Sequence, residues 1–213
     1  MEIDYYIKYI KYKNKYMGAK NNHNFIGGGK NKILLTGSPG SGKSTALEKI
    51  VQQLSNKDIK GFITKEIKED DQRVGFRLER LDNGMCGIIA STKINSDKKF
   101  GKWNILIDNV NKLIEQLNIT DNDLLIFDEI APMQLVSETF RELTTKWLDS
   151  DNIMIGIIKE DHQSLIDSND EEKRMIGEFI KSVKERDNVE LIEITKDNRE
   201  NMVNEIVKKI KNL

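Results

Sequence analysis

GSPGSGKST, residues 37–45, decides the fold: it interrupts the apolar run Ile33-Leu34-Leu35-Thr36 and opens a segment of helical periodicity. The stretch matches the phosphate-loop pattern G-x-x-x-x-G-K-[S/T] in full. Gly37, Gly40 and Gly42 let the backbone wrap tightly enough for its N–H groups to point inward at phosphate oxygens. The helix that starts there adds a dipole favouring the same negative charge. Lys43 is the residue to neutralise β- and γ-oxygens, the Ser44 hydroxyl is the Mg²⁺ ligand, and Thr45 reaches toward the α-phosphate. Ser38, Pro39 and Ser41 complete the binding loop. The expected ligand is a nucleoside triphosphate, with Mg²⁺ as cofactor.

Working outward, Leu47, Ile50, Val51 and Leu54 fall at i, i+3, i+4 and i+7, one face of a helix after the loop. Three strand-like runs follow, at 61–67, 73–80 and 85–90, separated by the turn-rich EDDQ and LDNG. Connections this short permit only antiparallel pairing, so they read as a β-meander inserted after the first helix. Next comes a helix with Val110, Leu113, Ile114 and Leu117 inside and Asp108 as its cap. DLLIFDE, 123–129, is apolar enough to be a central strand covered on both faces. Ser137 caps a helix burying Phe140, Leu143 and Trp147. NIMIGIIK, 152–159, is another buried strand, and SNDE, 168–171, has the form of a capping box before Ile176, Phe179, Ile180 and Val183. VELIEIT, 189–195, is the last strand, with Thr195 capping a final helix that buries Val203, Ile206 and Ile210. The expected fold is α/β: a doubly wound, mostly parallel sheet flanked by helices, of the P-loop NTPase, RecA-like (ASCE) type, with the antiparallel meander inserted.

Two segments are expected: a basic Tyr/Lys/Asn-rich extension, 1–31, and a P-loop domain, 32–213. All five tyrosines lie in the first sixteen residues, with Tyr5, Tyr9, Tyr12 and Tyr16 at helical spacing. Residues 1–32 hold seven lysines against two acids, whereas the whole chain has a net charge of -1, so the remainder is acidic. That balance gives no general attraction to nucleic acid. A basic aromatic helix over residues 1–16 could touch RNA, an anionic membrane or a partner, and its simpler reading is a peripheral extension. One cysteine, Cys86, and two histidines in 213 residues exclude an intrachain disulfide and argue against structural zinc. No apolar run approaches a membrane span, and a cytoplasmic location is expected.

The second half of the chemistry lies in LLIFDE. A buried strand ending in an acid suits Asp128 as a Mg²⁺-associated carboxylate, and Glu129 beside it can orient and deprotonate water for attack on the γ-phosphoryl group. Lys43 and Glu129 are thus the catalytic candidates. Arg73, Arg77 and Arg80 on the meander, and Asn198 and Arg199 at the carboxyl edge of the sheet, are candidates for a transition-state clamp. Of these, Arg199 is assigned to nucleotide binding. NKDI (56–59) and TKDN (195–198) approach a guanine-reading motif but place Asp one position early, so no base preference is assigned.

Several separate stretches resemble the small nucleoside-triphosphatases of the THEP type, also called cancer-related nucleoside-triphosphatases. They are ILLTGSPGSGKST, GFITKEIKEDDQRVGFRLE, FGKWN, LLIFDEIAPMQL and EITKDNRE, in the family's order over roughly residues 32–213. The resemblance implies Mg²⁺-dependent hydrolysis of several nucleoside triphosphates to diphosphate and phosphate, and carries over Gly37 to Thr45, Asp128 and Glu129. It leaves residues 1–30 without counterpart, and Ala131, Gln134 and Asn104 depart from the residues common in the family. Two other readings are open. One is a P-loop small-molecule kinase, whose lid would span 159–173 but holds no arginine before Arg174. The other is a nucleotide-dependent adaptor with negligible turnover.

Overall fold

The computed structural model describes residues 30–212. Of the expected extension, residues 1–29 lie outside the described residues, as does the tyrosine-rich segment.

Among the described residues nine strands form one mixed sheet: β1 (Lys32–Thr36), β2 (Ile59–Glu69), β3 (Gln72–Arg80), β4 (Cys86–Ser91), β5 (Lys98–Phe100), β6 (Trp103–Ile105), β7 (Leu124–Ile130), β8 (Met154–Ile158) and β9 (Val189–Glu193). Their spatial order is β5-β6-β4-β3-β2-β7-β8-β1-β9. From β2 to β9 every pairing is parallel, with Gly61 opposite Ile126, Phe127 opposite Gly156 and Leu34 opposite both Gly156 and Leu191. From β2 outward the pairings are antiparallel, β2 with β3, β3 with β4, β4 with β6 and β6 with β5. β2 therefore belongs to both halves. Its first five residues run alongside β7, and from Phe62 onward it pairs with β3 on its other edge.

The helices are α1 (Lys43–Gln53), α2 (Ile107–Glu115), α3 (Pro132–Leu135), α4 (Glu138–Asp149), α5 (Gln163–Ile166), α6 (Glu171–Lys184) and α7 (Arg199–Lys211). Period-2 alternation in the central strands feeds two cores, one on each face. Ile33, Leu35, Leu124, Ile126, Ile155 and Ile157 meet Leu47, Ile50, Val203, Ile206 and Ile210 of α1 and α7. Leu34, Leu125, Phe127 and Met154 point the other way, against Val110, Phe140, Trp147, Ile176, Phe179 and Ile180 of α2, α4 and α6. Phe127 is central there, its ring 5.0 Å from that of Phe62 and stacked 4.7 Å from that of Trp147.

Some local expectations are corrected. Asp108 lies in the first turn of α2 and not at its cap, because the Leu106 carbonyl already accepts from Asn109 and Val110. There it still complements the helix dipole. The cap of α6 is Asp170, accepting from the Lys173 N–H at 3.1 Å, while Ser168 accepts from the Asp170 N–H one step earlier. Thr195 stands four residues before α7 and pairs reciprocally with Asn198: Thr195 N–H donates to Asn198 Oδ1 at 2.8 Å and Asn198 N–H to Thr195 Oγ1 at 3.2 Å. The hairpin β5–β6 leaves no signal in the sequence, since three-residue strands are too short for alternation to register. Ser137 caps α4 as expected, accepting from the Phe140 N–H at 3.0 Å.

Phe127→Ala should lower the unfolding free energy by about 3–5 kcal/mol, the range for emptying a fully buried aromatic site. Leu191→Ala on edge strand β9, where Leu191 is 41% exposed, should stay within about 0.5 kcal/mol. Equilibrium urea unfolding measures both, and equal effects would contradict this placement of the core.

Candidate active site

The site forms at the carboxyl ends of β1 and β7. After β1 the chain turns back on itself through Gly37, Gly40 and Gly42, whose φ angles are 133°, 77° and 95°. The Ser41 N–H bonds the Ser38 carbonyl at 3.2 Å, and the first helical bond, from Ala46 N–H to Gly42 carbonyl, is 2.8 Å. Gly42 is the N-cap of α1 and supplies no side-chain acceptor, and the first turn contains no acid. The leading N–H groups of the helix thus keep their capacity for an anionic acceptor. The Lys43 ammonium donates to the carbonyls of Gly37 at 2.6 Å and Ser38 at 2.9 Å, which stations a positive charge at the mouth of the loop. Gly42 is also a point of close approach. A Cβ there would sit 2.6 Å from Nη1 and 2.9 Å from Cδ of Arg199, the first residue of α7.

Across the loop, β7 brings in the acids. The β7–β8 register shifts between Phe127 and Ile130, and the Asp128–Glu129 peptide bond within that bulge is cis. Bulges re-aim side chains at strand ends, and this one presents two consecutive acids beside the phosphate loop. Asp128 is buried, and the Ser44 hydroxyl lies close enough to its carboxylate to favour the ionised form. Burial, then the Glu129 charge, push its pKa up to about 7. Glu48 adds to the rise, while Ser44 and Lys43 oppose it. The pKa of Glu129 is also raised, chiefly by burial, against the attraction of Lys43, Lys159 and Arg73. Glu48 is a site neighbour that the motifs did not name. It lies one turn beyond Ser44 on α1, and that i, i+4 spacing was the available signal.

The remaining candidates separate clearly. Arg80 is buried and committed elsewhere: its Nε donates to Asp82 Oδ1 at 2.9 Å and its Nη2 to the Gln116 carbonyl at 2.9 Å. Arg77 pairs with Glu79 on the exposed face of β3. Arg73 pairs with Glu66, lies 5.4 Å over the Phe76 ring, and is near enough to Glu129 to act on its charge. Asn198 shapes the turn before α7, donating from Nδ2 to the Glu193 carbonyl at 2.8 Å. Arg199 reaches the phosphate loop, with Glu200 at 3.4 Å from its Nε. The segment considered as a kinase lid contains α5, and Arg174 donates to the Ser168 carbonyl at 2.9 Å within it.

The donor set fits a hard divalent cation. Ser44 and Asp128 offer adjoining oxygens, and Asp128, Glu129 and Glu48 hold more negative charge together than Lys43 offsets. Among the described residues no group of three or more His, Cys, Asp or Glu is arranged to hold a metal. A two-donor site suits Mg²⁺, which keeps most of its waters and takes further ligands from phosphates. No helix among the described residues is long and apolar enough to cross a membrane.

A family model described as NTPase matches residues 32–207. The chain is 34% identical over 183 residues to a nucleoside-triphosphatase THEP1 of Thermotoga sp. (strain RQ2), covering 84% of this chain and 95% of that protein. It is 31% identical over 184 residues to the nucleoside-triphosphatase THEP1 of Methanocaldococcus jannaschii, covering 84% and 96%. The crystal structure of THEP1 from Aquifex aeolicus aligns at a TM-score of 0.64 with 26% identity, over 82% of this chain and 96% of that one. The solution structure of a human cancer-related nucleoside triphosphatase aligns at 0.63 with 22% identity, over 85% and 97%, a likeness of fold alone.

The raised pKa of Asp128 makes a stability prediction. The folded protein holds this proton up to about pH 7, whereas the unfolded chain releases it near 3.8, so stability falls as pH rises across that window. In EDTA at pH 8, Asp128→Asn should therefore be the more stable protein, by up to about 4 kcal/mol. The gap should shrink as pH drops toward 4, and Mg²⁺ should stabilise the wild type more than the variant. Urea titrations across that pH range check this, and a wild type more stable than the variant at pH 8 in EDTA would contradict it.

Proposed function

The chain belongs to the NTPase family, and from that premise we propose that it hydrolyses nucleoside triphosphates to the diphosphate and inorganic phosphate. The observation that carries this reading is the Asp128–Glu129 pair, held at the end of β7 close enough to Lys43 and the Ser44 hydroxyl to be acted on by both. The N–H groups of residues 37–45 wrap the α- and β-phosphates, and Lys43 moves from its carbonyl partners onto the β- and γ-oxygens. Ser44 and Asp128 would hold Mg²⁺, which when bound would supply positive charge against the phosphate oxygens. Glu129 orients water and accepts its proton as the water oxygen bonds to the γ-phosphorus. The bond from that phosphorus to the β–γ bridging oxygen breaks, and the diphosphate leaves with the bond's electrons. A raised pKa makes Glu129 a stronger base than a free carboxylate, while its cationic neighbours keep it ionisable. Arg199, lying against Gly42, serves as a nucleotide contact, and Arg73 and Lys159 lie near enough to Glu129 to act on its charge.

The finer fold reading is a RecA-like (ASCE) domain over residues 32–213. It is supported by β8 standing between the phosphate-loop strand β1 and the acid-bearing strand β7. The antiparallel strands between α1 and β7 are read as its inserted meander. Residues 1–31 are read as an extension to this domain, and the cytoplasm as its compartment.

Glu129→Gln should retain nucleotide binding while phosphate release with Mg²⁺ falls by about 10²–10⁴-fold. A colorimetric phosphate assay over ATP, GTP, CTP and UTP measures this, and unchanged release would remove Glu129 from the role of base. Lys43→Ala should weaken triphosphate binding at least about tenfold in a titration, and full affinity would contradict its phosphate contact.

A further inference from the structure

The acids of the site are held from behind by a chain of polar groups that the reaction does not itself use. The Thr64 hydroxyl of β2 donates to the Asp128 carbonyl at 2.6 Å. Gln134 of α3 is fully buried, and its Nε2 lies 3.1 Å from Thr64 Oγ1. A hydroxyl has one proton, and here that proton is spent on the Asp128 carbonyl, so Thr64 can only accept from Gln134. This fixes the Gln134 amide with its NH₂ toward Thr64. Its Oε1 is left buried with no hydrogen-bond partner. The turn that carries Gln134 is anchored in turn. Arg141 of α4 is buried and donates from Nη1 to the carbonyls of Leu135 and Val136, the latter at 3.2 Å.

We infer that Thr64 and Gln134 are positioning residues, a relay running from Gln134 Nε2 through Thr64 Oγ1 to the Asp128 carbonyl that sets the acid pair against the phosphate loop. The relay acts where the β7–β8 ladder slips, between Phe127 and Ile130, so regular sheet pairing does not orient this segment by itself. β2 reaches the spot as a strand neighbour, with Ile63 opposite Asp128, and Thr64 is the next residue along. Pro132 opens α3 two residues after β7, which folds the chain back and returns Gln134 to the strand end. An unpartnered Oε1 costs stability at a fully buried position. An apolar side chain would avoid that cost, and the donated bond to Thr64 is what an amide adds there.

The inference rests on the hydrolytic reading above, and steady-state kinetics of the full chain with Mg²⁺ and ATP separates the two. Thr64→Val should lower kcat by about ten- to a hundredfold, since small misplacements of reacting groups carry large penalties. KM, and binding of a fluorescent ATP analogue, should stay within about twofold. Thr64→Ser, which restores the hydroxyl, should recover kcat to within about threefold of wild type. Gln134→Met should shift kcat in the same direction by a smaller factor. The double variant should be no slower than Thr64→Val, because both changes interrupt one relay. Wild-type kcat in Thr64→Val, no recovery in Thr64→Ser, or multiplicative losses in the double variant would each overturn the relay. If Thr64→Val does not fold, Thr64→Ser and Gln134→Met still test it, the first by near-normal kcat and the second by lost kcat at unchanged KM. A wild type releasing no phosphate from any triphosphate would overturn the hydrolytic reading, whereas wild-type turnover with these variants unaltered overturns the relay alone.

Discussion

Burying two neighbouring carboxylates is expensive unless something answers their charge, and this protein is organised around that constraint. Asp128 and Glu129 lie at the end of a strand covered on both faces, where desolvation disfavours ionisation of both and the Glu129 charge further opposes that of Asp128. The answering charges come from three other places in the chain: Lys43 on the phosphate loop, Lys159 after β8 and Arg73 on β3. None of these forms a direct carboxylate pair that would extinguish the acids. Lys43 is occupied by loop carbonyls, and Arg73 by Glu66. The site is therefore electrostatically unfinished in a way that a magnesium–triphosphate complex would complete, metal to the acids and phosphates to the cations.

The sheet topology makes that arrangement possible. Parallel strands β1, β7 and β8 deliver the phosphate loop, the acids and Lys159 to the same edge, because parallel strands end on the same side. β2 couples this edge to the antiparallel half. Its first stretch pairs with β7, and the stretch paired with β3 supplies both Thr64, just past the β7 ladder, and the Glu66–Arg73 contact. A single strand thus ties the acid pair to the wall beside it.

The opposite flank is built by close approach. Gly37 and Gly42 leave space that the Ile194 carbonyl and the Arg199 side chain enter, so the phosphate loop leans on the β9–α7 connection. The Lys49–Glu200 pair, at 2.6 Å, joins the same two helices farther along but is exposed and contributes little by itself. Cohesion there comes from Leu47 and Ile50 against Val203, Ile206 and Ile210.

What the sequence determined by itself was whatever depends on neighbours in the chain. Residue type at fixed spacing marked the loop of residues 37–45 and the Asp128–Glu129 pair as candidates and located the apolar faces of the helices, since a tight turn, a strand end and a helix stripe are local geometries. Local chemistry also misled where two local solutions compete: Asp170 caps α6 although the SNDE pattern suggested Ser168, and Asn198 binds Thr195 before α7 begins. Tertiary structure alone decided which long-range partners meet. It spent Arg80 on Asp82, set Arg199 against Gly42, brought Glu48 to Asp128, placed Thr64 on the Asp128 carbonyl, and set Gln134, seventy residues further on, against Thr64. Strand order and a slip in one ladder fix those meetings, and neither leaves a periodic trace in the chain.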